Sequence, residues 1–286
     1  MINIIIPVHN RLEYTLACIN SLKKQDCIRE INIFIVDDGS TDETRKTIKK
    51  KFSGINILEG DGSLFWGGSI NFGIKNVLKI CNKGDWILLI NNDIELESDA
   101  ISNLVRISES KNRKVISGSL SVNFNDKQTI IKSGTIVKSW FLNLTSHIYE
   151  GLKLKDIRKN SYIKVDFLTG RCLLHPVEIF AKVGNYDSKR FQHYGADDEF
   201  SMRVKKFGYS TLVCLSSVVY LKENPKIFLK KNIIERFFDN FLSIKSSSNI
   251  INKFKLTIKV VPTYAKITFF LIGILKSLFI FLKNEK

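Results

Sequence analysis

Three short apolar stretches, INIIIPV at residues 2–8, INIFIVDD at 31–38 and DWILLINND at 85–93, constrain this chain more than any other feature. They are rich in β-branched residues and almost continuously apolar, which predicts strands. Between the first two, Leu12, Leu16, Ile19 and Leu22 recur at helical spacing; DETRKTIKKKF and GSINFGIKNVLKIC read as two more helices around a further strand, INILE. Strands without a polar face that alternate with helices require a mainly parallel sheet covered on both sides. The predicted class is therefore α/β. A chain of 286 residues can bury one substantial core, and we expect a main domain over residues 1–221 followed by a basic helical tail over 222–286.

The middle of the chain changes character. VISGSL, TIIKSGTIV and YIKVDFLTGRCLLH resemble strands joined by polar turns, and a helix is expected from about Asp198, because Phe200, Val204 and Phe207 recur at helical spacing. SIKSSSNIINK at 243–253 reads as a linker. An apolar fraction of 44 % with 25 % charged residues excludes both a disordered chain and a multi-span membrane protein. The five cysteines are scattered, odd in number and without a CxxC pair, which argues against a disulfide framework or a zinc site and for a reducing cytosol. The amino terminus lacks the basic lead and apolar core of a secretory signal, so export is not expected. Of the net charge of +16, residues 222–286 carry +9. Such a field attracts nucleotide phosphates, nucleic acids and anionic lipids alike.

Ligands of open α/β sheets collect at the carboxyl ends of the strands. There the chain places Pro7-Val8-His9-Asn10, then Asp37-Asp38-Gly39-Ser40, then Gly60-Asp61-Gly62, then Asn91-Asn92-Asp93. No glycine fingerprint follows the first strand and no P-loop occurs, which removes the dinucleotide dehydrogenases and the P-loop nucleotidases. Ser40 or Thr41 can cap a helix with Asp42 and Glu43 in its first turn. Asp37 and Asp38 would repel one another unless a donor, such as a base or ribose, compensates. Asp93 is either a turn residue or the ligand of a divalent cation completed by phosphate oxygens. Gly67-Gly68 is either a turn or a close approach to a pyrophosphate. Phe65, Trp66, Trp140 and Tyr194 are core residues or stacking faces for a sugar.

In this order and spacing, IIPVHNR, IVDDGSTD, LLINND, FLTGRCLLHP and GADDEFSMRVKKFGY resemble the family 2 glycosyltransferases, inverting enzymes of the GT-A fold. GDGSLFWGGSINFGI is similar to the rhamnosyltransferase-like, polysaccharide-building branch. The resemblance implies that Pro7, His9, Asn10 and Arg11 border a nucleotide, that Asp38 and Asp37 contact its base, and that Asp93 holds Mg²⁺ or Mn²⁺. It implies a catalytic base at Asp197, with Asp198 in reserve if the register runs one residue later. Asn92 and Gly170, inside two of the matching segments, join the substrate-binding set with Trp66, Gly67, Gly68 and Tyr194. Two positions depart from the pattern: SSVVYLKEN at 216–224 lacks a downstream metal-binding histidine, and NND offers only one carboxylate.

The implied function is transfer of a sugar from a UDP- or dTDP-linked donor to a lipid-linked or polysaccharide hydroxyl at the cytoplasmic membrane face. The rival is a nucleotide-sugar binder without catalysis. A nucleic-acid partner is not expected, since the α/β half shows no interleaving of aromatic and basic residues. In the tail, ITFFLIGILKSLFIFL at 267–282 is interrupted by Lys276. Lys266, Lys276 and Lys283 share one stripe of a helix, fitting either an amphipathic helix in the bilayer interface or one docked on the domain with its lysines outward.

Overall fold

The computed structural model describes residues 1–157, 161–222 and 232–283. The chain opens with β1 (Ile2–Val8), α1 (Leu12–Leu22), β2 (Ile31–Asp38), α2 (Thr44–Lys51), β3 (Asn56–Gly60), α3 (Phe65–Val77) and β4 (Trp86–Ile90). The middle contains β5 (Ile94–Leu96), α4 (Ala100–Glu109), β6 (Val115–Asn123), β7 (Gly134–Ser139), β8 (Leu144–His147), β9 (Tyr162–Lys164), β10 (Phe167–Leu168), β11 (Cys172–Pro176), α5 (Glu178–Val183), α6 (Ala196–Lys205) and β12 (Ser210–Leu221). Three helices end it: α7 (Ile233–Phe241), α8 (Ile250–Val260) and α9 (Lys266–Lys283).

Nine strands form the main sheet, in the order β3-β2-β1-β4-β11-β6-β12-β5 with β9 on β12. The β3-β2-β1-β4 half is parallel, as the uninterrupted apolar strands require, whereas β11 runs antiparallel between β4 and β6. Alternate residues feed two cores: Ile5, Val36 and Leu89 face one side of the sheet, and Ile4, Ile6, Ile35 and Leu88 face the other. Burial of each such side chain contributes about 1.5–3 kcal/mol.

This topology decides where chemistry can occur. Because β1, β2 and β4 are parallel, the loops after Val8, Asp38 and Ile90 emerge at one edge. Antiparallel β11 enters at that same edge, with Cys172 opposite Ile90, so Gly170 and Arg171 sit beside Asn91–Asp93. A separate three-stranded sheet, β10-β7-β8, stands over this edge and ends in a hairpin tip at residues 140–143.

Three local expectations change. The helix predicted from Asp198 begins at Ala196, after Gly195 in a left-handed conformation, so Asp197 lies in the first turn rather than outside the helix. The Ser-rich stretch is not all linker: Asn249 caps α8, which starts at Ile250. At α2 the N-cap is Glu43 without a side-chain capping bond; Asp42, one residue earlier, accepts from Thr44 N, while Ser40 Oγ accepts from Asn10 N.

Candidate active site

A cavity of about 1300 Å³ opens at the strand-end edge. Pro7, His9, Arg11, Asp38, Trp66, Asn92, Asp93, Gly170, Tyr194, Asp197 and Asp198 line it. Asn10, Asp37, Gly67 and Gly68 do not. Asn10 Oδ1 instead accepts from Thr41 N and Asp42 N, tying the first strand-end loop to the second. Asp37 is 1 % exposed and bound to Arg45 at 2.6 Å, so its carboxylate is compensated inside the protein rather than by a base or ribose. Gly67 and Gly68 lie within the first turn of α3, where their N–H groups donate to Gln192 O and Leu64 O. Those two donors are spent on the fold, not aimed at a pyrophosphate.

Several lining residues are tightly held. Asp38 accepts from Gly62 N at 2.8 Å, Leu64 N at 3.3 Å and Phe65 N at 3.0 Å, which shapes the loop before α3 and satisfies that helix's N-terminal donors. The His9 ring nitrogen Nδ1 lies 2.6 Å from Asp38 O, and Asn92 Nδ2 donates to Thr15. Trp66 Nε1 donates to Asn91 Oδ1 at 2.9 Å, fixing the indole at the cavity wall. Phe65 lines the same wall, whereas Trp140 packs against Phe167 and Phe269 outside the lining.

The three consecutive acids of α6 have separate environments. Glu199 is ion-paired with Arg203 at 2.8 Å, and Arg203 also binds the carbonyls of Val183 and Asn185, so this acid fastens the helix. Asp197 Oδ2 accepts from Gly170 N at 2.8 Å, while Oδ1 accepts from Asp198 N at 3.1 Å. Desolvation raises the Asp197 carboxyl above the ordinary carboxylate range, against those N–H donors and the Arg171 charge. Asp198 is pushed well upward by burial and then by the Asp197 charge. Only glycine fits at 170: a Cβ there would stand 2.7 Å from Trp66 and 3.3 Å from Asp197.

Like Arg171, Asp93 lines the same cavity. Its Oδ1 is buried without a hydrogen-bond partner among the described residues, and its Oδ2 lies 3.7 Å from Arg11 Nη1. Burial raises the Asp93 carboxyl, opposed by Arg11 and Arg171. Arg11 and Asn10 both hold left-handed backbone, at φ 64° and 59°, a cost that non-glycine residues bear at positions under functional constraint. Burial draws the Arg171 guanidinium down while Asp93 and Asp197 draw it back, so one cation serves two acids. Arg171 was not singled out from the sequence; its only signal was its place inside FLTGRCLLHP.

As a cation site, Asp93 fits one role. No group of three or more His, Cys, Asp or Glu side chains converges among the described residues. An ion would therefore rest on the orphaned Oδ1 and on phosphate oxygens of a bound nucleotide, a shell that Mg²⁺ and Mn²⁺ accept. Lys222 N donates to Asp93 O and Lys222 Nζ pairs with Glu95 at 2.6 Å, at the segment where the histidine was sought. Residues 223 and 224 of that segment lie outside the described residues.

The far wall of the cavity comes from the tail and the small sheet: Lys245, Lys253 and Leu256 with Phe269, Phe270 and His147. Lys253 is half-buried and has no ion-pair or hydrogen-bond partner for its ammonium among the described residues; desolvation lowers its pKa.

Comparison with known proteins agrees with this architecture. The family described as Glycosyl transferase family 2 matches residues 3–184, and the chain belongs to that family. An N-acetylglucosaminyl-diphospho-decaprenol L-rhamnosyltransferase of Mycobacterium tuberculosis is 22 % identical over 67 % of this chain and 66 % of its own. An uncharacterised glycosyltransferase of Mycoplasma genitalium is 34 % identical over 108 residues, 35 % of each chain. The match thus spans about a third of one relative's length and just under two thirds of the other's. Among solved structures, GalNAc-T7 with UDP, GalNAc and Mn²⁺ superposes with a TM-score of 0.64 at 14 % identity, over 94 % of this chain and 53 % of that one. The GT-A architecture expected from the sequence is the one observed.

Proposed function

We propose that the chain is an inverting hexosyl- or rhamnosyltransferase that moves a sugar from a UDP- or dTDP-linked donor to a hydroxyl of a lipid-linked or polysaccharide acceptor. The observation that carries this reading is the presence of Asp93, Asp197 and Arg171 on the lining of one cavity, with both acids acting on the Arg171 charge. In the proposed step the acceptor oxygen attacks the anomeric carbon in line as the bond to the diphosphate breaks and its electron pair leaves on phosphate. Asp197 takes the hydroxyl proton; its raised pKa makes it a stronger base than an ordinary carboxylate. Arg171 and Arg11 face the charge that develops on the leaving group. Mg²⁺ or Mn²⁺, held by Asp93 and the donor's own phosphates, would add charge neutralisation there. Trp66 and Gly170 form the floor on which the sugar rests, and Asp38 keeps the loop beside the nucleotide in shape.

The acceptor enters between the small sheet and the tail, which we place as an appendage over residues 222–286 serving a peripheral position on the cytoplasmic membrane face. Lys253 there matches an anionic linkage on the acceptor, and the lipid-diphosphate substrate in the name of the Mycobacterium tuberculosis relative supports this. The test is Asp197→Asn, assayed with labelled donor and isothermal titration. Transfer is expected to fall by about a thousandfold or more with donor affinity intact. Unchanged turnover would move the base elsewhere, and donor binding with no turnover even in the wild-type chain would favour the non-catalytic binder.

A further inference from the structure

The hairpin tip between β7 and β8 exposes Phe141, Leu142 and Leu144, three large apolar side chains on a turn that elsewhere would be polar. Four observations fix this tip against α9, more than 120 residues away in sequence. Asn143 Nδ2 donates to Phe269 O at 2.9 Å, and Lys276 Nζ donates to Asn143 O. Trp140 meets Phe269 with ring centroids 5.7 Å apart. Gly273 is buried against Asn143, where an added Cβ would stand 2.9 Å from its amide nitrogen. The docked face of α9 is therefore the one bearing Phe269, Gly273 and Ser277.

The opposite face of α9 is uncovered. Ile267, Leu271, Leu275, Phe279 and Leu282 follow one another at helical spacing and are each more than half exposed. The strip runs about 22 Å along the helix. Phe254 against Phe270 and Phe237 against Phe281 join α8 and α7 to α9, and both add exposed isoleucines and phenylalanines to the same end of the molecule. Lys276 and Lys283 are exposed at the margin of this apolar face, and Lys276 also reaches back to the hairpin. An exposed apolar surface of this extent marks a docking site.

We propose that the hairpin tip and the outer face of α9 form one footing that rests on an anionic lipid bilayer. This deepens the reading of the chain as an enzyme of membrane-linked acceptors and rests on it. Charge selects the occupant: residues 250–283 carry six lysines and no acidic residue. A second copy of the chain would set like charge against like, whereas anionic headgroups complement it. The helix Thr263–Lys283 is long and apolar enough to cross a membrane by length and composition. Its contacts with the hairpin at residues 269, 273 and 276 hold it along the protein instead, so it lies in the interface. Because Phe269, Phe270 and Gly273 also line the cavity, the footing sets the cavity mouth beside the lipid surface, where a lipid-linked acceptor can enter without leaving the bilayer.

The experiment uses the full chain and co-sedimentation with vesicles of phosphatidylcholine containing about one-third phosphatidylglycerol. The wild type is expected to bind these and to bind pure phosphatidylcholine vesicles more weakly. Phe141→Ser with Leu142→Ser, and separately Leu271→Ser with Leu275→Ser, should each weaken binding by about tenfold or more. Ile80→Ser, exposed but outside the patch, should change nothing. Circular dichroism confirms that each variant is folded, and donor hydrolysis in detergent is measured in parallel. If the hairpin variant sediments like wild type, or if a concentration-dependent dimer is lost instead of vesicle binding, the footing is overturned. A chain that binds vesicles through these residues yet never consumes donor sinks the enzymatic reading and leaves the footing standing.

Discussion

On the strand-end wall of the cavity, polar side chains are held by the backbone before any ligand arrives. Asp38 accepts three N–H bonds, Asp197 two, and Asn92 and Trp66 are each bound to a neighbouring side chain. The opposite wall, made by the tail helices and the small sheet, is different: it mixes Phe167, Leu256, Phe269 and Phe270 with polar side chains such as Thr135, Thr145, Ser247 and Asn252, and Lys253 has no counter-charge among the described residues. The first wall is preorganised for one ligand geometry, as a site for charge developing on a leaving group must be. The second is less constrained, and the proposed function gives it a partner that brings its own charge and hydrocarbon. On the proposed reading the donor takes the first wall and the acceptor the second.

The strongest way to break that assignment is at Asp93. Asp93→Asn is expected to lower transfer by about a hundredfold and to weaken donor binding, because on the proposed reading it removes the carboxylate that faces the leaving diphosphate and takes from Arg11 its ion-pair partner. If titration shows donor affinity unchanged, the diphosphate lies elsewhere. On the other wall, Lys253→Met should raise the acceptor KM by about tenfold and leave donor affinity alone. A change in donor affinity there would merge the two walls into one site.

Acidity sharpens the contrast further. Since desolvation raises the Asp197 pKa, the acid limb of kcat/KM should lie above the ordinary carboxylate range, with activity falling as pH drops through it. The stability effect has the opposite sign. A carboxyl whose folded pKa is raised binds more protons folded than unfolded, so stability declines as pH rises from the unfolded value to the folded one and stays low above it. Asp198, raised further than any ordinary carboxylate and without a compensating N–H bond, should therefore cost stability at neutral pH. Asp198→Asn is expected to raise the melting temperature by about 2 °C or more, read by calorimetry at pH 7 and again near pH 4, where the gain should shrink.

Legibility in the sequence followed the same division. Continuous apolar runs such as DWILLINND had no satisfactory home except a sheet covered on both faces, and Asp93 and Asp197 stood in recognisable segments at its edge. Asp37 has an internal partner that its place in the sequence did not announce, because Arg45 of α2 reaches it only in the folded chain. Arg171 was invisible because its position depends on the antiparallel entry of β11 opposite Ile90, which no periodicity announces. The tail's apolar character was plain, yet the face it presents depends on Gly273 meeting Asn143, a pairing across 130 residues.

The most direct test is a crystal structure of the full chain with the nucleoside diphosphate released from its donor. The expected result is the diphosphate beside Asp93, within reach of Arg11 and Arg171, with the Asp197 carboxylate left open to the cavity. A diphosphate bound instead at the basic face of α2, around Arg45, Lys46, Lys49 and Lys50, with the cavity empty, would contradict it.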